Sequence, residues 1–418
     1  MTQVSTDPAL RLLQAGAVID AAGVEATPGV LLVRGREVIA AGSPEEIGEV
    51  AGAMVEDCRA EVLLPGLVNA HAHLDLSGIG PRPFDGQFDA WLGGIRDHRM
   101  EQDADALEAD FAHGINLSLA GGVAFIGDIL GRGSDVGVGL LRASPLGGTC
   151  FLECMGLGSA QEQAIEAIEA RVAAMDPQGE GIGIGVSPHA PYSCGAGLYE
   201  ACAALGIPLA THLAESLEEE QVLMDASGPF RALAEKLGAW NEATTMPGCH
   251  PVEALASMLQ QRPMMVVHLN YIEEAHIQLL AAAGARVVYC PRASDYFGHP
   301  HAGRPDHRYM EMLDAGLCVA LGTDSLQCLD TPGRISTLDE MRHLHVRDGA
   351  DPMALLSMAT LEGARALELD QGLTNFSPGP IGGVIAVDVT ASRSGGLAGV
   401  LSTREAPRWV VEPGQESG

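Results

Sequence analysis

The hydrophobic positions change their period twice along the chain. Between Leu10 and about Cys58 they fall in short β-like runs, Ala17-Val18-Ile19, Val30-Leu31-Leu32-Val33 and Val38-Ile39-Ala40, with turn residues between them. Arg34-Gly35-Arg36-Glu37 separates two of these runs as a hairpin connection would. From Glu61 to about Arg347 apolar strands alternate with Ala-, Leu- and Glu-rich helical stretches such as Ala160 to Met175 and Pro251 to Leu259. Solidly apolar strands separated by helices are expected of a parallel sheet covered on both faces. After Pro378-Gly379-Pro380 the β-like text returns, in Val384-Ile385-Ala386-Val387-Asp388-Val389 and Trp409-Val410-Val411. The N-terminal β-rich unit is too short for a sizeable core, so the two end segments are expected to pair with one another.

The middle segment holds eight strand candidates. The first is the apolar run Val62-Leu63-Leu64 with Leu67-Val68, which ends in His71 and His73. The others run through Val123 to Asp128, Thr149 to Glu153, Ile182 to Ser187, Ile207 to Thr211, Met264 to Val267, Ala285 to Cys290 and Leu317 to Leu321. Eight strand–helix units predict an α/β fold of the (β/α)8 TIM-barrel type, whose active site lies at the carboxyl ends of the strands. The expected division is a barrel over residues 61–370 and a small β-sandwich built from both chain ends, residues 1–60 and 371–418. A doubly wound open sheet is the competing arrangement, but no Gly-x-Gly-x-x-Gly follows the first strand.

Composition narrows the function. The 418 residues suit one large α/β domain with a smaller appendage. Lys and Arg number 24 against 55 Asp and Glu, a net charge of −31 that would repel nucleic acid and anionic membranes. Nine cysteines are scattered without a Cys-x-x-Cys pair, and Cys58, Cys202 and Cys290 stand in apolar text, which suits free thiols in a reducing cytoplasm. Met1 to Asp7 lacks the features of a signal peptide, and no apolar run approaches the ~20 residues of a membrane span. A cytoplasmic protein acting on a small molecule, with no nucleic acid or membrane partner, is the expectation.

The residues that follow the strands carry the chemistry. In a strand, residues i and i+2 project on the same side, so His71 and His73 can face one metal ion. Strand four gives Ser187-Pro188-His189-Ala190-Pro191, strand five Thr211-His212-Leu213-Ala214-Glu215-Ser216, and strand six Val267-His268-Leu269-Asn270. Strand eight gives Leu321-Gly322-Thr323-Asp324-Ser325. Each has a plainer alternative: a helix cap for Asp324, a capped helix start for His212 and Glu215, a structural strand-end histidine for His268. The register across five strands is what argues for a shared site.

Taken together, Pro-Gly-Leu-Val-Asn-Ala-His-Ala-His from Pro65, Ser-Pro-His-Ala-Pro-Tyr from Ser187, Thr-His-Leu-Ala-Glu-Ser from Thr211, Cys-Pro-Arg at Cys290 and Leu-Gly-Thr-Asp-Ser at Leu321 resemble the amidohydrolase superfamily, in its deaminase and chlorohydrolase-like branch. The resemblance covers almost the whole chain. It implies that His71, His73, His212 and Asp324 bind one divalent ion, zinc or else Fe2+, which lowers the pKa of a bound water. It further implies that Glu215 moves the water's proton to a ring nitrogen, that His268 orients the attacking oxygen, and that Asp324 accepts a proton. Enzymes of this branch are often homodimers.

On the substrate side, Arg82 to Trp91 forms an aromatic-bearing loop suited to covering a planar ring, or else starts the next helix. Trp91, Glu153, His189 and Arg142 are the expected substrate contacts, with Arg96 and Arg99 as further partners for an anionic tail. His299, His301 and His307, after strand seven, are weaker candidates. The runs around His73 to Ser77, Pro191 to Ser193 and Tyr296 to His299 look most like aminofutalosine deaminases. Asp75 stands where the related text commonly has Glu, Ala293 where it has Ser or Thr, and Cys328-Leu329 where it has Ser-Asn. The reaction expected is hydrolytic deamination of an aminopurine-type compound. The alternatives are loss of chloride from a triazine-like ring, opening of a cyclic amide, or a non-catalytic scaffold.

Overall fold

A computed structural model describes residues 9–414 apart from 132, 134, 178, 180, 243 and 302, so the Met1 to Asp7 segment lies outside the described residues. All eight expected barrel strands are present: Leu67–Ala72, Val123–Leu130, Gly147–Cys154, Ile182–Pro188, Ala210–Leu213, Met265–His268, Arg286–Tyr289 and Cys318–Leu321. The first four form one parallel ladder and the last four a second. Parallel bridges Val186 to Leu209 and Ala72 to Asp324 close the ring. The second closure lies between the strand that carries His71 and the residue expected to share its ion.

The apolar strands bury both faces. Met265 and Val267 point into the lumen with Val68, Ala70, Val288 and Ala320, while Val266 packs outward with Val287 and Val319 against the helices. Alternation within a solid hydrophobic run explains why these strands carry no polar stripe.

The sequence-predicted first strand is divided in two. Val62 to Leu64 belongs to a long strand, Met54–Pro65, of the end sheet, and the barrel strand starts afresh at Leu67. Gly66 makes the break: its N–H donates to Gly383 O at 2.8 Å, and a Cβ there would stand 2.7 Å from the Ala124 methyl. Periodicity could not detect this, because residues on either side of the break are equally apolar.

The expected sandwich takes the form of one eight-stranded sheet. Leu10–Ile19, Glu25–Ala26, Gly29–Arg34, Glu37–Gly42 and Met54–Pro65 come from the N-terminal side, and Gly379–Pro380, Val384–Asp388 and Arg408–Val411 from the C-terminal side. Arg34 pairs with Glu37 across the expected hairpin, whose Gly35 takes φ 58°. The chain ends meet where Val384–Asp388 runs antiparallel to Glu61–Pro65. Leu63, Val384 and Ala386 face the sheet's own core with Leu13 and Leu31, whereas Val62, Leu64, Ile385 and Val387 face the barrel cluster. Two alternating strands thus dock the sheet on the barrel. Among the described residues no helix is long and apolar enough to cross a membrane.

Candidate active site

At the carboxyl end of the barrel four imidazoles and two carboxyls converge. The His71 ring lies 4.9 Å from His73, 5.0 Å from His212 and 5.7 Å from His268, centroid to centroid. His73 Nε2 stands 3.8 Å from Asp324 Oδ1, and His268 Nε2 stands 3.5 Å from Glu215 Oε1. The ligating atoms of His71, His73 and Asp324 lie within 4.8 Å of one another, and so do those of His71, His212 and His268 and those of Glu215, His268 and Asp324. Ala214 (φ 51°), His268 (79°) and Asp324 (59°) occupy left-handed backbone conformations. For non-glycine residues this costs about 1–3 kcal/mol each and persists only where the surroundings enforce it.

Hydrogen bonds outside the cluster set the rings. His212 Nδ1 meets the His189 carbonyl at 3.0 Å, which leaves Nε2 for the centre, and His189 Nδ1 meets Ser193 Oγ at 2.8 Å. Asn69 clasps the last strand through Thr323 Oγ1 (2.8 Å) and Thr323 N (3.1 Å), and the Ser325 N–H donates to Asp324 Oδ1 at 2.7 Å. His71 is different: both of its ring nitrogens are buried without a hydrogen-bond partner, as is Nδ1 of His73. Buried ring nitrogens need a partner, and an ion supplies one. Burial, followed by the neighbouring imidazoles, pushes the pKa values of His71, His73 and His268 well down, which keeps them in the neutral form a metal requires. The donor set therefore fits a divalent cation. Burial, and then the charge of Asp324, pushes the Glu215 carboxyl well above the usual carboxylate range.

The family model described as Amidohydrolase family matches residues 62–406. The chain belongs to the amidohydrolase family. It is 28% identical over 377 residues to the aminodeoxyfutalosine deaminase of Deinococcus radiodurans, covering 85% of each chain. It is 24% identical over 381 residues to the 5-methylthioadenosine/S-adenosylhomocysteine deaminase of Symbiobacterium thermophilum, covering 86% of this chain and 80% of that one. Among solved structures, the Helicobacter pylori aminofutalosine deaminase in complex with methylthio-coformycin superposes with a TM-score of 0.77 at 21% identity, over 97% of this chain and 99% of that one. The zinc-complexed atrazine chlorohydrolase of Arthrobacter aurescens does so at 0.75 and 18% identity, over 97% and 94%. At these identities the structural likeness speaks for the fold alone.

In this amidohydrolase a cavity of about 60 Å³ opens beside the cluster, walled by His73, Trp91, Arg99, Glu153, His189 and Glu215 among others. The expected aromatic loop is instead the helix Phe88–Glu101, which covers the cavity. Trp91 lines the cavity while stacking on Phe88 (6.0 Å) and meeting Phe297 edge-on (4.9 Å), which is the packing alternative. Arg99 is placed in the wall, its Nε and Nη2 on Asp75 at 2.7 and 3.3 Å and its Nη1 3.4 Å from Glu153 Oε2.

Arg142 is a correction. It ends the helix Val136–Arg142, and its Nε donates to the carbonyl of Ile182, the first residue of the fourth barrel strand. A helix that returns from a strand's carboxyl end finishes at the opposite end of the barrel, so Arg142 cannot reach the substrate. Arg96 pairs with Asp97 on the exposed side of its helix. His299 bonds Tyr271 Oη through Nδ1 at 2.8 Å, and His307 turns away into the barrel wall. The Asp75–Arg99 pair and the Asn69–Thr323 clasp escaped sequence reading. Asn69 and Asp75 continue the alternation of His71 and His73 on either side, which was the available signal.

Proposed function

We propose that this amidohydrolase hydrolyses the exocyclic amine from an aminopurine nucleoside-type compound, at a single ion held by His71, His73, His212 and Asp324, with zinc as that ion. A bound ion there supplies Lewis-acid activation of water. The observation that carries the reading is Glu215: a desolvated carboxyl 3.5 Å from His268, beside Asp324, whose proton affinity burial raises, as taking up a proton requires.

The steps assigned to the chain follow from that placement. Glu215 takes a proton from water and delivers it to a ring nitrogen, which removes the ring's aromatic resistance to attack. His268 Nε2 donates to the attacking oxygen, and Asp324 passes the second proton to the leaving amine. A carbon–oxygen bond forms, the carbon–nitrogen bond breaks, and ammonia leaves. Trp91, His189 and Glu153 line the cavity, which supports assigning them contacts with the base and its substituent. The names of the relatives, adenosine-type deaminases in each case, support an adenine-bearing substrate, and aminofutalosine-type compounds are the leading choice.

The test is product analysis of zinc-loaded protein with adenosine, S-adenosylhomocysteine, aminofutalosine, guanine, cytosine, an aminotriazine and a chlorotriazine. Conversion of an adenine to a hypoxanthine is the expected result. Chloride release from a chlorotriazine, with every amine left intact, would replace this reading.

A further inference from the structure

The loop after the seventh strand returns one histidine to the barrel wall. The His307 ring lies flat on Tyr289, centroids 3.6 Å apart and planes 9° from parallel. Its Nδ1 accepts the backbone N–H of Tyr309 at 3.2 Å, so the ring proton is on Nε2, which donates to the His268 carbonyl at 2.8 Å. Burial lowers the pKa of His307 to about 3, so the ring stays neutral and the tautomer fixed. His307 is not among the residues lining the cavity.

The carbonyl that His307 grips belongs to the catalytic candidate with the most strained backbone. His268 has φ 79° and the next residue, Leu269, φ 57°. Two successive left-handed non-glycine residues are unstable unless held from outside. The peptide unit between them is held at both polar atoms: the Leu269 N–H donates to Leu213 O at 3.0 Å, and the His268 C=O accepts from His307. That unit is attached to the His268 Cα, so holding it restrains the backbone from which the ring projects toward Glu215.

We propose that His307 is a positioning residue for this reaction: by clamping the His268–Leu269 peptide it aims the His268 imidazole at Glu215 and the attacking oxygen. Only the kinetic arm of the test depends on the deaminase reading.

His307→Phe keeps a flat ring against Tyr289 and removes the donor, whereas His307→Gln offers an N–H at similar reach without the ring. His307→Phe should bind one ion per chain and keep KM within about twofold, yet lose about ten- to hundredfold in kcat, as misplaced catalytic groups do. His307→Gln should recover most of that loss, whatever its Tm. In a His268→Ala background, His307→Phe should lower kcat no further. The histidine NMR signal of His268 in ion-loaded protein should move in His307→Phe and return in His307→Gln, a readout that needs no turnover. An unmoved signal overturns the proposal. So does wild-type kcat in His307→Phe, an equal loss in His307→Gln, or an undiminished loss in the His268→Ala background.

Discussion

Glu215, just before the helix Leu217–Asp225, and Glu219, in its first turn, face different tasks. The Glu215 side chain keeps 13% exposure, enough to reach the cavity. Glu215→Gln keeps the shape and should retain the ion while losing on the order of a hundredfold or more in rate; loss of the ion would place Glu215 among the ligands. Glu219 is sealed in: Oε2 accepts the Glu215 N–H at 2.9 Å, Oε1 is buried without a partner, and burial raises the pKa to about 8. Between the unfolded carboxyl's ordinary pKa and about 8 the folded chain holds the extra proton, so stability falls as pH rises through that window. The Tm of Glu219→Gln relative to wild type should therefore climb from pH 5 to pH 8; a constant difference would contradict a protonated Glu219. The residues that converge at the barrel's carboxyl end were legible because a barrel gathers polar side chains at strand ends. Arg142 was misread because the short helix Val136–Arg142 was not located in the sequence, so its place at the far end of a returning helix went unseen. Asp75 and Arg99, 24 residues apart, become partners only once the Phe88–Glu101 helix folds back over the strand.

At the scale of elements, that helix covers the site with two glycines in its middle. Gly93 and Gly94 lie mid-helix, and a Cβ on either would meet nothing within 4 Å. Replacing both by Ala should stabilise the helix by about 1 kcal/mol per site and raise Tm. The cavity of about 60 Å³ is smaller than the several hundred of a typical small-molecule site, so movement of this cover is the expected route for substrate entry. The same double variant should therefore lose kcat/KM, and a higher Tm with unchanged kcat/KM would show that entry uses another route. Gly322 is the opposite case, since a Cβ there would stand 2.8 Å from His71 Cβ and 2.9 Å from Cys290 Sγ. Gly322→Ala should displace His71 and weaken ion binding at least tenfold, measured by competition with a chelator. The strands were readable as elements, but the division at Gly66 was not, because it depends on contacts with Ala124 and Gly383 from distant sequence.

Over the whole molecule, the pairing of the chain ends was legible because neither end has enough apolar residues to stand alone. The curl into a single sheet was not, since strand order depends on registers such as Val384 with Pro65 that no local pattern encodes. Charge acts at this scale too. With a formal net charge of −31, self-repulsion opposes the folded state, and raising monovalent salt from about 10 mM to about 150 mM shortens the screening length from about 30 Å to about 8 Å. Tm should rise across that range; a fall would mean that local ion pairs outweigh the global field. The proposed loss of an amine depends on an ion held by His71, His73, His212 and Asp324. The direct measurement is ammonia released per adenine-type nucleoside consumed, by the zinc-loaded chain, after chelation and after zinc is restored. One ammonia per nucleoside, abolished by the chelator and recovered with zinc, is the predicted result. Absence of ammonia from the whole nucleoside panel, with one ion bound per chain, would contradict it.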